Sequence, residues 1–316
     1  MPERMSHVKI TPRMASAVSL AALFLGIGLS SLLAETLDPA QDSASPLELV
    51  RSAVANEVAA AKDDSTKHIF RSRKQTAQGS QTRLYVETRE AMAGITIAYN
   101  DKPLAPEQTR SEEARLADLV SHPEQLSRKH TQEQESADRT LRIVKALPDA
   151  FLFDYDGEQP GTPDLGLDGD RMVRLKFRPN PAYRPPSHVE DVLIGMQGIV
   201  LIDSEARRIA RIDGTLFKEV SFGWGILGHL DKGGHFLVEQ RNVGDGSWDV
   251  SRMSLGFTGK ILLFKSIAIK SEEVFSDFRR VPADTTFAQG VELLKTEHAR
   301  LAQGSAETMK IESRSH

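Results

Sequence analysis

Apolar side chains at Leu47, Val50, Val54, Val58 and Ala61 recur at helical spacing, so the sequence predicts an amphipathic helix over 46–61. Ser45 stands at its N-cap and Pro46 at its first position, where the missing N–H costs nothing. Short strand patterns follow at His68–Lys74, Thr82–Glu87 and Ile95–Tyr99, closed by the turn Asn100–Pro103. From 106 to 147 the chain turns rich in Glu, Gln, Arg, Lys and Ala. Leu116, Leu119 and Val120 mark one helix there, His122-Pro123 breaks it, and Leu141, Val144 and Leu147 mark the end of a second. Between them, Arg128 to Arg139 is polar on every side, the pattern of an exposed or charge-paired helix. The stretch reads as a helical excursion from a sheet.

After Pro148 the pattern becomes strand-like to about Arg280. Phe151–Tyr155 and Met172–Phe177 flank a turn-rich loop, and Pro179, Pro181, Pro185 and Pro186 mark an edge or loop. Then come Val189–Ile202, Arg208–Val220, Gly223–Leu230, His235–Asn242, Trp248–Phe257 and Ile261–Val274. Short turns carrying Gly, Asp or Ser join them, including Asp203–Glu205, Asp231–Gly234 and Thr258–Lys260. Turns that short permit only antiparallel hairpins, because parallel neighbours need a long crossover. The expectation is a five-strand meander. Phe236, Val238 and Gln240 alternate with Leu237, Glu239 and Arg241, giving one mainly apolar face. Ile199–Ile202 and Ile261–Phe264 are apolar on both faces, so a helix, a second sheet or a ligand must cover them. A last helix is expected over 285–302, and a disordered tail from Gln303.

The leader adds a location. Arg4, Lys9 and Arg13 precede an apolar run from Ala17 to Leu33 that ends at Ala34, the order of a secretory signal cut near Ala34. Its 17 residues sit at the lower limit for spanning a bilayer, which leaves an uncleaved anchor as the alternative. The reading is export to the periplasm, with 35–45 as a linker.

Composition narrows the classes of function. The net charge is −4, and removing the leader's net +2 leaves −6 on the mature chain. With no basic run and 6% aromatics, nucleic acid and anionic membrane surfaces are poor partners. There is no cysteine, which rules out a thiol nucleophile, thiolate-ligated metal, disulfides and a lipobox anchor.

Candidate chemistry is sparse. His229 and His235 lie either side of the Asp231–Gly234 turn and could share a metal, but no third ligand is evident beside them. Asp154, Asp156, Glu158, Asp164, Asp168 and Asp170 resemble a hard-cation loop, yet lack calcium-loop spacing and suit turns. Phe222–Gly228 is glycine-rich without the Lys-Ser/Thr of a phosphate loop and reads as a bent strand with apolar rings. No nucleophile elbow or distinct acid–base pair stands out, so no catalytic residue, metal or cofactor is assigned.

Gly198–Asp203 followed by Arg208–Ile212, Trp248 after the Gly-Asp-Gly turn, and Ser276–Arg280 resemble the outer-membrane lipoprotein-sorting carriers of the periplasm. The likeness covers roughly residues 170–281. The helical excursion and Tyr183–Pro186 depart from those compact carriers. The resemblance implies an α+β fold: a strongly curved antiparallel sheet, an open half-barrel over 46–281, covered by helices. It also implies non-catalytic binding of lipid or lipoprotein acyl chains. Phe222, Trp224, Leu227, Leu263 and Phe264 are the candidate lining residues. The alternative is an envelope interaction protein that uses 106–147 as its partner arm.

Overall fold

The computed structural model describes residues 45–222, 228–244, 246–261 and 265–312. The expected signal segment, 1–34, lies outside them. The described residues form an α+β protein with four helices and a 13-stranded antiparallel sheet that is not closed into a barrel. None of those helices is long and apolar enough to cross a membrane. The chain divides into two compact units.

The first unit comprises 62–137 and 271–312. Strands β1 (Lys67–Thr76), β2 (Gly79–Val86), β3 (Ala93–Tyr99) and the two-residue β4 (Lys102–Pro103) run antiparallel, and the end of β13 (Lys265–Val281) pairs with β1. Helices α2 (Pro106–Ser121) and α4 (Phe287–Glu312) belong to this unit, as does the start of α3 (Pro123–Ala150). Leu84, Val86, Ala93 and Ile95 meet Leu116 of α2 and Phe287, Val291 and Leu294 of α4 in one core. The helical excursion therefore does not stand free at its first helix: Leu116 is 1% exposed, and α2 covers the sheet.

Strand β3 has almost no outer neighbour, and an open edge would recruit other chains. Helix side chains close it instead. Glu112 accepts from the Thr96 N–H at 2.9 Å, Arg115 donates to the Gly94 carbonyl at 2.7 Å, and Glu133 accepts from the Met92 N–H at 2.9 Å. Helix α4 begins with a capping box in which Thr286 and Gln289 exchange side-chain and backbone bonds, and it runs past the expected end at 302.

The second unit comprises 45–61 and the described part of 138–270. It holds α1 (Pro46–Lys62), capped by Ser45 as the sequence predicts, with Glu48 returning the bond, and the buried end of α3 at Leu141, Val144 and Leu147. Strands β5 (Phe151–Pro160), β6 (Arg171–Pro179), β7 (Met196–Asp203), β8 (Ile209–Leu216), β11 (His235–Gly244) and β12 (Ser247–Ile261) pair in that order. The start of β13 follows β12 in the sheet. The short β9 (Val220–Phe222) and β10 (Gly228–Leu230) form a side ladder on β12.

Three expectations are corrected here. The meander is interrupted, because β8 pairs directly with β11 while β9 and β10 turn aside. Strand β12 runs straight through Thr258-Gly259-Lys260, the expected turn, since β10 supplies Gly259 and Lys260 with ladder partners. Strand β5 continues beyond Tyr155 through a bulge where Gly157 adopts φ +114°, a conformation that costs glycine little.

Candidate ligand-binding face

Residues directly opposite one another in neighbouring strands share a face, and so do residues two apart along a strand. In the second unit this places Tyr155, Leu175, Val200, Ile212, Val238 and Met253 in one row across six strands. The adjacent row on the same face is Phe153, Phe177, Gly198, Gly214, Phe236 and Leu255. Neither row contains a charged side chain. The opposite face carries Asp154, Lys176, Ile199, Asp213, Leu237 and Ser254 in register. Ion pairs add to it, among them Arg211–Glu239 and His235–Asp213. The sheet is therefore two-sided in chemistry.

Two glycines face each other in the middle of the second row. A methyl group on Gly214 would lie 2.3 Å from the Phe236 ring and 3.2 Å from that of Phe177. These rings lie over bare backbone, and the glycines thin the sheet where the aromatics need depth.

Burial along the rows is uneven. Leu175, Val200, Phe177 and Met253 are at most 5% exposed. Phe153, Ile212, Phe236, Val238 and Leu255 are only half-buried, and Tyr155 is 59% exposed. The half-buried side chains lie mainly on β8, β11 and β12. Of the expected lining residues, Phe222 ends β9 opposite Gly228 and is half-buried. Trp224, Leu227, Leu263 and Phe264 lie outside the described residues, as does most of the Ile261–Phe264 run. The sequence alternation found Phe236 and Val238 but not their partners, because strand order alone reveals that β8 adjoins β11.

At one end of this unit, α1 is pinned by a buried ion pair that the helical spacing missed. Glu57, 1% exposed, accepts from Arg208 at 2.8 and 3.0 Å and from the Ile209 N–H at 3.0 Å. Gln240 reaches the same carboxylate at 3.4 Å, and the Arg208 guanidinium lies 5.6 Å from the centre of the Trp248 ring. The buried stripe of α1 is Leu49, Val50, Ala53, Val54, Glu57 and Ala61, so Leu47 and Val58 sit at its margin. A glutamate three residues after Val54 and four before Ala61 was the available signal.

The acidic run does not converge as a hard-cation loop. Asp154 pairs with Arg178, Asp156 with Arg174 and Lys176, and Glu158 with Arg171. The Lys176 ammonium chiefly holds the Asp156 carboxyl below its usual range. Burial, then the nearby Asp203 carboxylate, pushes Asp170 up. His229 and His235 do not share a ligand either, since His235 Nε2 lies 3.2 Å from Asp213.

A search of solved structures finds a likeness to the crystal structure of a DUF1329 family protein from Desulfovibrio piger. It has 10% identity, covers 75% of this chain and 93% of that one, and has a TM-score of 0.27. No protein-family model and no curated protein matches the chain.

Proposed function

We propose that the second unit binds an apolar ligand, a lipid or the acyl chain of a lipoprotein, on the face made by Phe153, Ile212, Phe236, Val238 and Leu255. In this reading the chain is an exported periplasmic carrier and not an enzyme. One observation carries the reading: an uncharged surface six strands wide whose aromatic and aliphatic side chains stay half-buried on β8, β11 and β12. A contiguous apolar surface left partly open in water is a binding surface more often than a defect. An acyl chain gains about 0.8 kcal/mol for each CH₂ taken out of water, which this face could supply. The resemblance to lipoprotein-sorting carriers points the same way.

The test is uptake of a fluorescent fatty acid by the purified mature protein. We expect saturable binding that Phe236→Ala weakens by roughly tenfold, the equivalent of losing about 1.4 kcal/mol of apolar contact. Leu237→Ser, on the opposite face of the same strand, should leave it unchanged. Absence of uptake, or equal loss in both variants, overturns the reading.

A further inference from the structure

A second feature of the second unit lies away from the apolar rows. Among the described residues, Glu219, His229 and Asp231 bring one ligand atom each within 4.8 Å of one another. The sequence shows no third ligand beside His229 because Glu219 comes from the far side of the β9–β10 ladder, where His229 stands opposite Ser221.

We propose that Glu219, His229 and Asp231 form a binding site for a divalent transition-metal ion, with zinc the best fit. Three observations carry this. The His229 Nε2 to Asp231 Oδ1 separation is 3.4 Å, long for a hydrogen bond. It matches the edge of a tetrahedral zinc site, where two bonds of about 2.1 Å set neighbouring ligand atoms about 3.4 Å apart. The backbone that carries His229 and the carboxylate of Asp231 are also held in place. His229 lies in the middle strand of the ladder, packed so closely by β12 that a methyl group on Gly259 would meet its carbonyl oxygen at 2.1 Å. Asp231 donates its N–H to the Thr258 carbonyl at 2.9 Å, and the Thr258 hydroxyl donates to Asp231 Oδ2 at 2.6 Å, leaving Oδ1 towards the imidazole. Such outer hydrogen bonds orient metal ligands. Finally, the donor set is one imidazole and two carboxylates, a mixed nitrogen and oxygen set that favours zinc and its neighbours over calcium. Glu219 is exposed, so its longer side chain can swing in to close the triangle. Lys260 stands opposite His229 in the β10–β12 ladder, and Lys218 and Lys232 adjoin Glu219 and Asp231 in the chain, so the site lies among cations of its own.

Isothermal titration of untagged, chelator-treated full-length mature protein with zinc chloride tests the site. The expected result is one equivalent bound, with His229→Ala and Asp231→Asn each weakening it by roughly 100-fold. Thr258→Ala, which removes no ligand, should weaken it by about tenfold. Circular dichroism of each variant checks that it folds, and Asp231→Asn stands in if His229→Ala does not. No zinc binding by the wild type, or wild-type affinity in both ligand variants, overturns the proposal.

Discussion

The two units build from the same antiparallel alternation and finish it differently. In the first, Leu84, Val86, Ala93 and Ile95 on two strands meet Leu116, Val291 and Leu294 from two helices, and all are at most 3% exposed. In the second, equally apolar rows on six strands are buried at Leu175, Val200 and Met253 but stop half-way at Ile212, Phe236, Val238 and Leu255. The difference is one of cover, not of composition. Two helices close a narrow sheet. A wider sheet leaves apolar area that a ligand can use.

The largest effect is expected where the second unit secures its own cover. Glu57→Ala leaves Arg208, 12% exposed, without its carboxylate in a buried position. Removing one member of a buried pair costs about 3–5 kcal/mol, whereas replacing both by apolar residues is often neutral. Urea unfolding should therefore show a large loss for Glu57→Ala and recovery in Glu57→Met/Arg208→Met. A loss below about 1 kcal/mol would mean that α1 is held by its apolar stripe alone.

A smaller pair of changes compares the two interiors directly. Leu294→Ala, in a filled core, should cost about 2–5 kcal/mol from lost burial and the cavity left behind. Ile212→Ala, on the half-open face, should cost less than about 1.5 kcal/mol, because part of its surface already meets solvent. Equal losses by denaturant titration would show Ile212 to be ordinary core and would close the proposed face.

Much of this was legible in the sequence. The Ser45 cap, the break at His122-Pro123 and the antiparallel pairing all follow from local rules that tertiary structure did not override. What stayed hidden depends on partners far along the chain. The six-strand rows need β8 beside β11, and the detour of β9 and β10 has no local signal. Glu57 reads as a surface residue until Arg208 and Ile209, about 150 residues on, arrive beside it. Glu219 and His229 are likewise joined by a ladder, not by spacing. Thr258–Lys260 reads as a turn in the sequence, but a turn-forming tripeptide is also acceptable strand when another strand pairs with it.

The smallest effect separates the units by pH. In the first unit, Glu297 of α4 accepts from Arg300 at 2.7 and 3.0 Å and pairs with Arg279 of β13 at 2.7 Å. The hydrogen bonds from Arg300 chiefly hold its carboxyl at about 2, with burial opposing and Arg279 assisting. A carboxyl whose folded value lies below its ordinary 4.5 binds protons more readily when unfolded, so protonation favours unfolding. Its contribution is therefore complete above pH 4.5, declines as pH falls towards 2, and is gone below that. Glu297→Gln removes the charge and so removes this dependence. The gap in denaturation midpoint between wild type and Glu297→Gln should be widest at pH 6 and shrink steadily below pH 4.5. Other carboxyls titrate in both proteins and cancel from the difference. A gap that stays constant down to pH 2.5 would mean that Arg279 and Arg300 do not hold this carboxylate, and that α4 keeps to the first unit through Phe287, Val291 and Leu294 alone.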